Sequence, residues 1–381
     1  MCVAAPANLV PLVTSRARRL KSEEMRPISR AMSSTSLLRH PVASRTFLAV
    51  ALVSFGGCGT TASKSTDGGP DADSAVAPTI EKACSDIAQA QCTKRMTCSG
   101  GDSISRVFGT MENCIARQML SCTNGLSAPQ TGNTPALVEA CVAAFGTYSC
   151  AAFFNNNPPA PCAATGPRAT GATCAFNGQC ASGYCQGLKN SSCGTCEAPP
   201  SAGASCASSS CWHDQACVGA TTMCASYGAL NASCDASDPC GYGLTCVGAV
   251  ASTSTPGTCQ AAGEATGTAC GGTMSGCDGT SGFFCGGPAG TKTCMSISYV
   301  GDGMPCGSLA STSQAECIAG GCYTSTGSAG SGQTGTCKSD TADGTACDTV
   351  LGPGCITPSR CVISGDGSGG TCEIPLGSTC G

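Results

Sequence analysis

GATCAFNGQCASGYCQ, residues Gly171–Gln186, sets a pattern that the rest of the chain repeats. A glycine stands three positions before Cys174, five residues separate Cys174 from Cys180, and C-x-x-G-x-C leads to Cys185. A fourth cysteine, Cys196, follows after a variable loop, with Cys193 as an extra one. The opening signature recurs as GASC before Cys206, NASC before Cys234, GTAC before Cys270, GMPC before Cys306 and GTAC before Cys347. Six units of about 30 residues result, each with four cysteines, which is the mark of a repeat architecture. They are 174-180-185-196, 206-211-217-224, 234-240-246-259, 270-277-285-294, 306-317-322-337 and 347-355-361-372. The chain then quotes the opener once more, as LGSTCG around Cys380.

Composition explains what such units must rely on. The 381 residues include 36 cysteines, 52 glycines and 21 prolines, with only 4% aromatic and 11% charged residues. Little apolar surface per residue can be buried, so covalent staples of about 3 kcal/mol each must hold the fold. Cysteine at this density implies disulfides formed in an oxidising compartment. A cytosolic thiolate metal centre would favour C-x-x-C pairs, and only Cys193 and Cys196 stand so close. The predicted fold class is small and disulfide-rich: an N-terminal three-helix cysteine-rich module, then a tandem, quasi-linear array of short disulfide-stapled fingers with little regular secondary structure. Residues 171–381 form the six fingers and a C-terminal stub.

Residues 79–162 read differently. TIEKACSDIAQAQCTKRM, TMENCIARQMLSC and TPALVEACVAAF place apolar residues at helical spacing, behind Thr79, Thr110 and Thr134-Pro135. Three amphipathic helices are expected. Cys84 and Cys92, and likewise Cys114 and Cys122, lie eight apart on one helix, about 12 Å along its axis, too far to bond each other. Antiparallel packing of the two helices pairs Cys84 with Cys122 and Cys92 with Cys114.

Upstream, LLRHPVASRTFLAVALVSFGGCG sets Arg39 and Arg45 before an apolar run from Phe47 to Phe55. The run is too short to span a bilayer and suits the core of a secretory signal. Residues 1–57 are expected to be a leader, with the true start at Met25 or Met32. Cys58 after Gly56-Gly57 resembles the lipidated cysteine of a bacterial lipobox, so Cys58 is the expected lipid attachment point and the membrane the expected partner through that anchor. Residues 58–78 are a polar linker, whose ends as a flexible coil average about 25 Å apart. Asp67, Asp71 and Asp73 within it are read as solvated rather than as a calcium site.

Charge is divided. Residues 1–57 carry eight Lys/Arg against two Glu, whereas residues 58–381 carry eleven against twenty-one acids. A mature chain so acidic is repelled by phosphate backbones, so no nucleic-acid partner is expected. No P-loop, G-x-S-x-G, EF-hand or histidine cluster occurs, so no cofactor, metal or catalytic residue is expected. His213 is the only histidine after the leader, in CWHDQAC; the expectation is that Trp212 packs over disulfides while His213 and Asp214 face water. The sequons at Asn190 and Asn231 are read as turn residues.

The unit GATCAFNGQCASGYCQ resembles the cysteine-rich fingers of Dickkopf N-terminal and colipase-like domains. The order of leader, linker, helical cysteine module and fingers resembles cysteine-rich predicted lipoproteins of myxobacteria. The ten-residue gap between Cys306 and Cys317, and the lack of the doubled cysteine of colipase-like fingers, keep those families' lipase or receptor partners from carrying over. The resemblance implies crossed pairing within each finger, first to third and second to fourth: Cys174–Cys185 and Cys180–Cys196, Cys206–Cys217 and Cys211–Cys224, Cys234–Cys246 and Cys240–Cys259, Cys270–Cys285 and Cys277–Cys294, Cys306–Cys322 and Cys317–Cys337, Cys347–Cys361 and Cys355–Cys372. Cys193 and Cys380 are then unpaired, and LGSTCG is the stub of a seventh finger. Parity allows another register, in which each fourth cysteine bonds the next unit's first and Cys372 bonds Cys380. The crossed register is the expectation taken here. Functionally, the chain is expected to be an exported, lipid-anchored outer-membrane, cell-surface or secreted protein that binds a protein or glycan. A passive spacer of the envelope or matrix is the alternative, and an enzyme is not expected.

Overall fold

The computed structural model describes residues 77–187, 191–206, 211–218, 222–235, 239–249, 255–330, 332–365 and 367–380. The leader, Cys58, the linker up to residue 76 and Asn190 lie outside the described residues.

Five α-helices open the described chain: α1 (Ile80–Ser99), α2 (Asp102–Val107), α3 (Met111–Leu126), α4 (Pro135–Ala144) and α5 (Cys150–Phe154). Their starts are set by side-chain caps. Thr79, Thr110, Thr134 and Ser149 each accept the backbone N–H three residues on, satisfying one of the donors a helix start leaves orphaned. Gly100, at φ 58°, ends α1 in the left-handed conformation. Helices α2 and α5 add to the three long ones; at six and five residues they are too short to display a helical period. Four disulfides knit the segment: Cys84–Cys122, Cys92–Cys114, Cys98–Cys150 and Cys141–Cys162. Ile87, Cys141, Phe145 and Tyr148 form one core cluster, and Cys92, Ile104, Phe108 and Cys114 another. No helix among the described residues is long and apolar enough to cross a membrane.

Each finger is built on one antiparallel pairing in which its third and fourth cysteines stand opposite each other, as Cys185 opposite Cys196 and Cys361 opposite Cys372. These neighbours do not bond each other. The third cysteine takes the first and the fourth takes the second, in all six fingers. Two crossed bridges stacked on one face thus replace the hydrophobic core, and Cys174, Cys180 and Cys196 are fully buried. Each bridge closes a short loop worth about 3 kcal/mol.

The opener has a geometric reason. The residue three before each first cysteine takes a left-handed backbone: Gly171, Gly203, Asn231, Gly267, Gly303 and Gly344, with φ from 67° to 90°. Its N–H donates to the carbonyl of the fourth cysteine at 2.7–2.9 Å. Glycine adopts that conformation without cost and asparagine tolerates it, which is why Asn231 alone substitutes. The sequon asparagine is therefore a turn residue.

The fingers carry more regular structure than the sequence suggests. Fingers 1, 3 and 6 have three-stranded sheets and fingers 2 and 4 two-stranded ones, while finger 5 contributes to a six-stranded sheet. The long gap between Cys306 and Cys317 is a hairpin of Pro305–Ala310 with Ser313–Cys317.

The array is not linear. Every finger docks on the helical segment. In finger 1, Gln179 Nε2 donates to the Pro129 carbonyl (2.9 Å). In finger 2, the Asp214 N–H donates to the Asn155 carbonyl (2.9 Å). In finger 3, the Tyr242 ring stacks on Phe154 at 5.0 Å and its hydroxyl donates to the Cys98 carbonyl. Finger 4 lays Gly279–Ser281 on α2. In finger 5, the Ala319 N–H donates to the Ser105 carbonyl (3.0 Å) and Glu316 pairs with Arg106 (3.4 Å). In finger 6, Arg117 grips Asp343 with two nitrogens (2.6 and 2.8 Å) and donates to the Ile356 and Thr357 carbonyls.

The circuit then closes. Cys193 of finger 1 bonds Cys380 of the tail, 187 residues away. The expectation that these two cysteines are unpaired, and LGSTCG the stub of a further finger, is corrected on this point. Gly377 stands where an opener glycine would but is not left-handed. It is small for another reason: a Cβ there would lie 2.3 Å from Ala128 Cβ. The tail thus packs against the helical segment, Arg168 Nη1 donates to the Cys380 carbonyl (2.6 Å), and Cys380 is 2% exposed. All 34 cysteines among the described residues are paired.

Candidate functional site

Where the helical segment meets fingers 1, 2 and 6, a cleft of about 760 Å³ remains. Its floor comes from α1 (Ile87, Gln91, Arg95), α3 (Gln118, Ser121) and α4 (Val138, Cys141). Finger 1 contributes Phe176, Asn177 and Ser182, finger 2 Trp212 and His213, and finger 6 Arg360. The helix residues share the cleft because positions 87, 91 and 95 lie four apart, on one face of α1.

Trp212 and His213 reach it from a tight turn. The Gln215 N–H donates to the Trp212 carbonyl (3.2 Å), and Asp214 sits at φ 56°. The Trp212 ring meets the edge of Tyr184 at 5.1 Å, and the His213 ring lies flat on Trp212 at 3.9 Å. The expected water-facing role of His213 and Asp214 is corrected. Both are half-buried, and the Asp214 carboxylate accepts a hydrogen bond from Asn157 Nδ2 (2.5 Å), because the finger is pressed onto the helical segment. Burial lowers the His213 pKa, with Asp214 opposing it, which favours the neutral ring, with one donor and one acceptor.

The charges are one-sided. Two guanidiniums line the cleft, and among the described residues no carboxylate does. Arg95 donates to Ser103 Oγ (2.7 Å) and lies over Phe108 and Phe153 at 5.7 and 5.6 Å from the ring centres. Burial, with repulsion from Arg106, lowers its pKa. Burial lowers that of Arg360 too. Apolar rings continue the lining through Phe145, Tyr148 and Phe153, which meet edge to face at 5.3–6.3 Å. Burial, and then Asp214, push the Tyr148 hydroxyl up to about 12.

In each of fingers 1 to 5, three sulfurs lie within 4.8 Å of one another, as metal ligands would. Each belongs to a crossed disulfide, so no thiolate is left to hold a metal. Comparison with protein-family models, with curated proteins and with solved structures finds no match to this chain.

Of the disulfide positions named from the sequence, Cys114, Cys122 and Cys185 line the cleft and the others lie outside it. Sequence reading missed Arg95, Gln91, Gln118 and Arg360, because they come from separate segments. One signal was present: Arg360 is the only arginine after Arg168.

Proposed function

We propose that the chain is an exported, surface-displayed binding protein, tethered by a lipid on Cys58, that takes its ligand in the cleft ringed by the fingers. The density of disulfides is that of an extracytoplasmic protein. In this reading the helical segment 79–162, with its three long helices, is a platform, and the fingers are both its staples and its rim. The resemblance to cysteine-rich myxobacterial lipoproteins and Dickkopf-like fingers belongs to the same proposal. The observation that carries it is the cleft, which pairs guanidiniums with open amides and aromatic rings instead of the uniformly polar surface a spacer needs.

Two experiments test it. Cells fed a palmitate analogue label the wild type and not Cys58→Ala; equal labelling removes the anchor. Purified oxidised protein applied to the matrix of the producing cells is retained, and Gln118→Trp, which fills the cleft from α3, abolishes retention. Retention that ignores Gln118→Trp, or is absent, favours the spacer.

A further inference from the structure

We infer that the cleft recognises an acidic saccharide, a short uronate-bearing glycan or chain end. The inference rests on the reading of the cleft as a binding site and names the ligand's chemistry.

The charge inventory comes first. Other described arginines are matched: Arg106 with Asp102 and Glu316, Arg117 with Asp343, and Arg168 with the carbonyls of Thr173 and Cys380. The Arg360 side chain makes no hydrogen bond or ion pair among the described residues. Glu373 stands opposite it in the strand register and does not pair with it. Arg95 has a hydroxyl and two rings but no carboxylate. A half-buried guanidinium without a counter-charge is costly unless a ligand supplies one. In a chain whose residues 58–381 hold almost twice as many acids as bases, two such groups open on one cleft that, among the described residues, no acid lines. Arginine's planar fork fits a carboxylate with two parallel hydrogen bonds.

The uncharged lining narrows the class. The side chains of Gln91, Gln118 and Asn156 line the cleft and make no hydrogen bond to protein among the described residues. Each offers two donors and an acceptor, the complement of adjacent ring hydroxyls. Trp212 and Phe176 supply flat apolar faces for the carbon-bound hydrogens of a sugar ring. A fatty or purely aromatic acid would leave the three amides unsatisfied. A long polyanion would be repelled by the acidic remainder of the molecule. A short acidic saccharide meets the cation, the amides and the rings together, and the volume lies in the range of small-ligand sites.

The test is calorimetric titration of the secreted, oxidised protein with trigalacturonate and with neutral galactotriose. Trigalacturonate binds, more weakly as salt rises, and galactotriose binds at least about tenfold more weakly. Arg360→Gln weakens trigalacturonate by about tenfold or more, while Arg360→Lys, lacking the fork, recovers only part of it. The Arg360 guanidinium has no hydrogen-bond or ion-pair partner among the described residues and is half-buried, so Arg360→Gln melts no lower than the wild type. Equal binding of the two trisaccharides, an unchanged affinity in Arg360→Gln, or no heat from trigalacturonate at millimolar concentration overturns the acidic-saccharide inference. Cleft-dependent retention on the matrix would survive any of those results, so the two readings fail separately.

Discussion

Removing the Cys193–Cys380 bridge is the most informative perturbation of this fold. The bridge joins residues 187 apart, but the fingers between them are already cross-linked. The shortest covalent route runs through five second-to-fourth bridges, Cys211–Cys224 to Cys355–Cys372, and holds about 100 residues. Closing a loop of that size removes about 4.7 kcal/mol of unfolded-chain entropy. A local bridge such as Cys211–Cys224, with a separation of 13, removes about 3 kcal/mol. Cys193→Ser/Cys380→Ser should therefore lose about 2 kcal/mol more stability than Cys211→Ser/Cys224→Ser. The assay is urea unfolding followed by circular dichroism, without reductant, at pH 7. Equal losses in the two double variants would refute the reasoning. So would alkylation without reductant that finds Cys193 and Cys380 as free thiols, since the array would then be open.

Three further outcomes follow from local geometry. Gly267→Ala, at φ 90° with open space around its Cβ, should cost about 1–2 kcal/mol from backbone strain alone, whereas Asn231→Gly, at φ 67°, should cost almost nothing; thermal melts compare them. Burial raises the Asp340 pKa to about 6 from its ordinary 3.8, so the folded state holds its proton more tightly than the unfolded chain, and its ionisation weakens the fold as pH rises from about 4 to 6. Asp340→Asn should thus unfold at higher urea than the wild type at pH 7.5 and at nearly the same urea at pH 4. Arg117→Ala should cost about 2–3 kcal/mol at pH 7, by leaving Asp343 and two carbonyls of finger 6 without their donor. Hydrogen bonding to Arg117 holds the Asp343 pKa below the usual carboxylate range, so part of that difference should vanish as pH falls through and below that range, read by the same unfolding curves.

Much of the local structure is legible in the residues. Cysteine density requires a disulfide framework, because so few apolar side chains could not hold this length of chain. Thr79, Thr110 and Thr134 are readable caps because a short hydroxyl side chain can satisfy a helix-start N–H. The G-x-x-C opener is readable because few residues tolerate a left-handed turn. A second signal went unread: GTC at 194–196, 257–259, 335–337 and 370–372. There the glycine faces the first cysteine's strand, and a Cβ would stand 2.2–2.6 Å from a carbonyl oxygen.

Tertiary structure alone decided the rest. LGSTCG spells an opener, yet whether Gly377 turns or packs depends on Ala128, some 250 residues earlier, and no local pattern encodes that contact. The partner of Cys193 is likewise invisible, since a bond across all the other fingers leaves no spacing to recognise. The cleft is equally non-local: Gln91 and Arg95 of α1, Gln118 of α3, Trp212 of finger 2 and Arg360 of finger 6 become neighbours only in the folded chain. Periodicity and turn chemistry act over a few residues, so they write the helices and the fingers into the sequence. The site forms from groups held together by docking contacts and one long-range bridge, and those exist only in the folded chain.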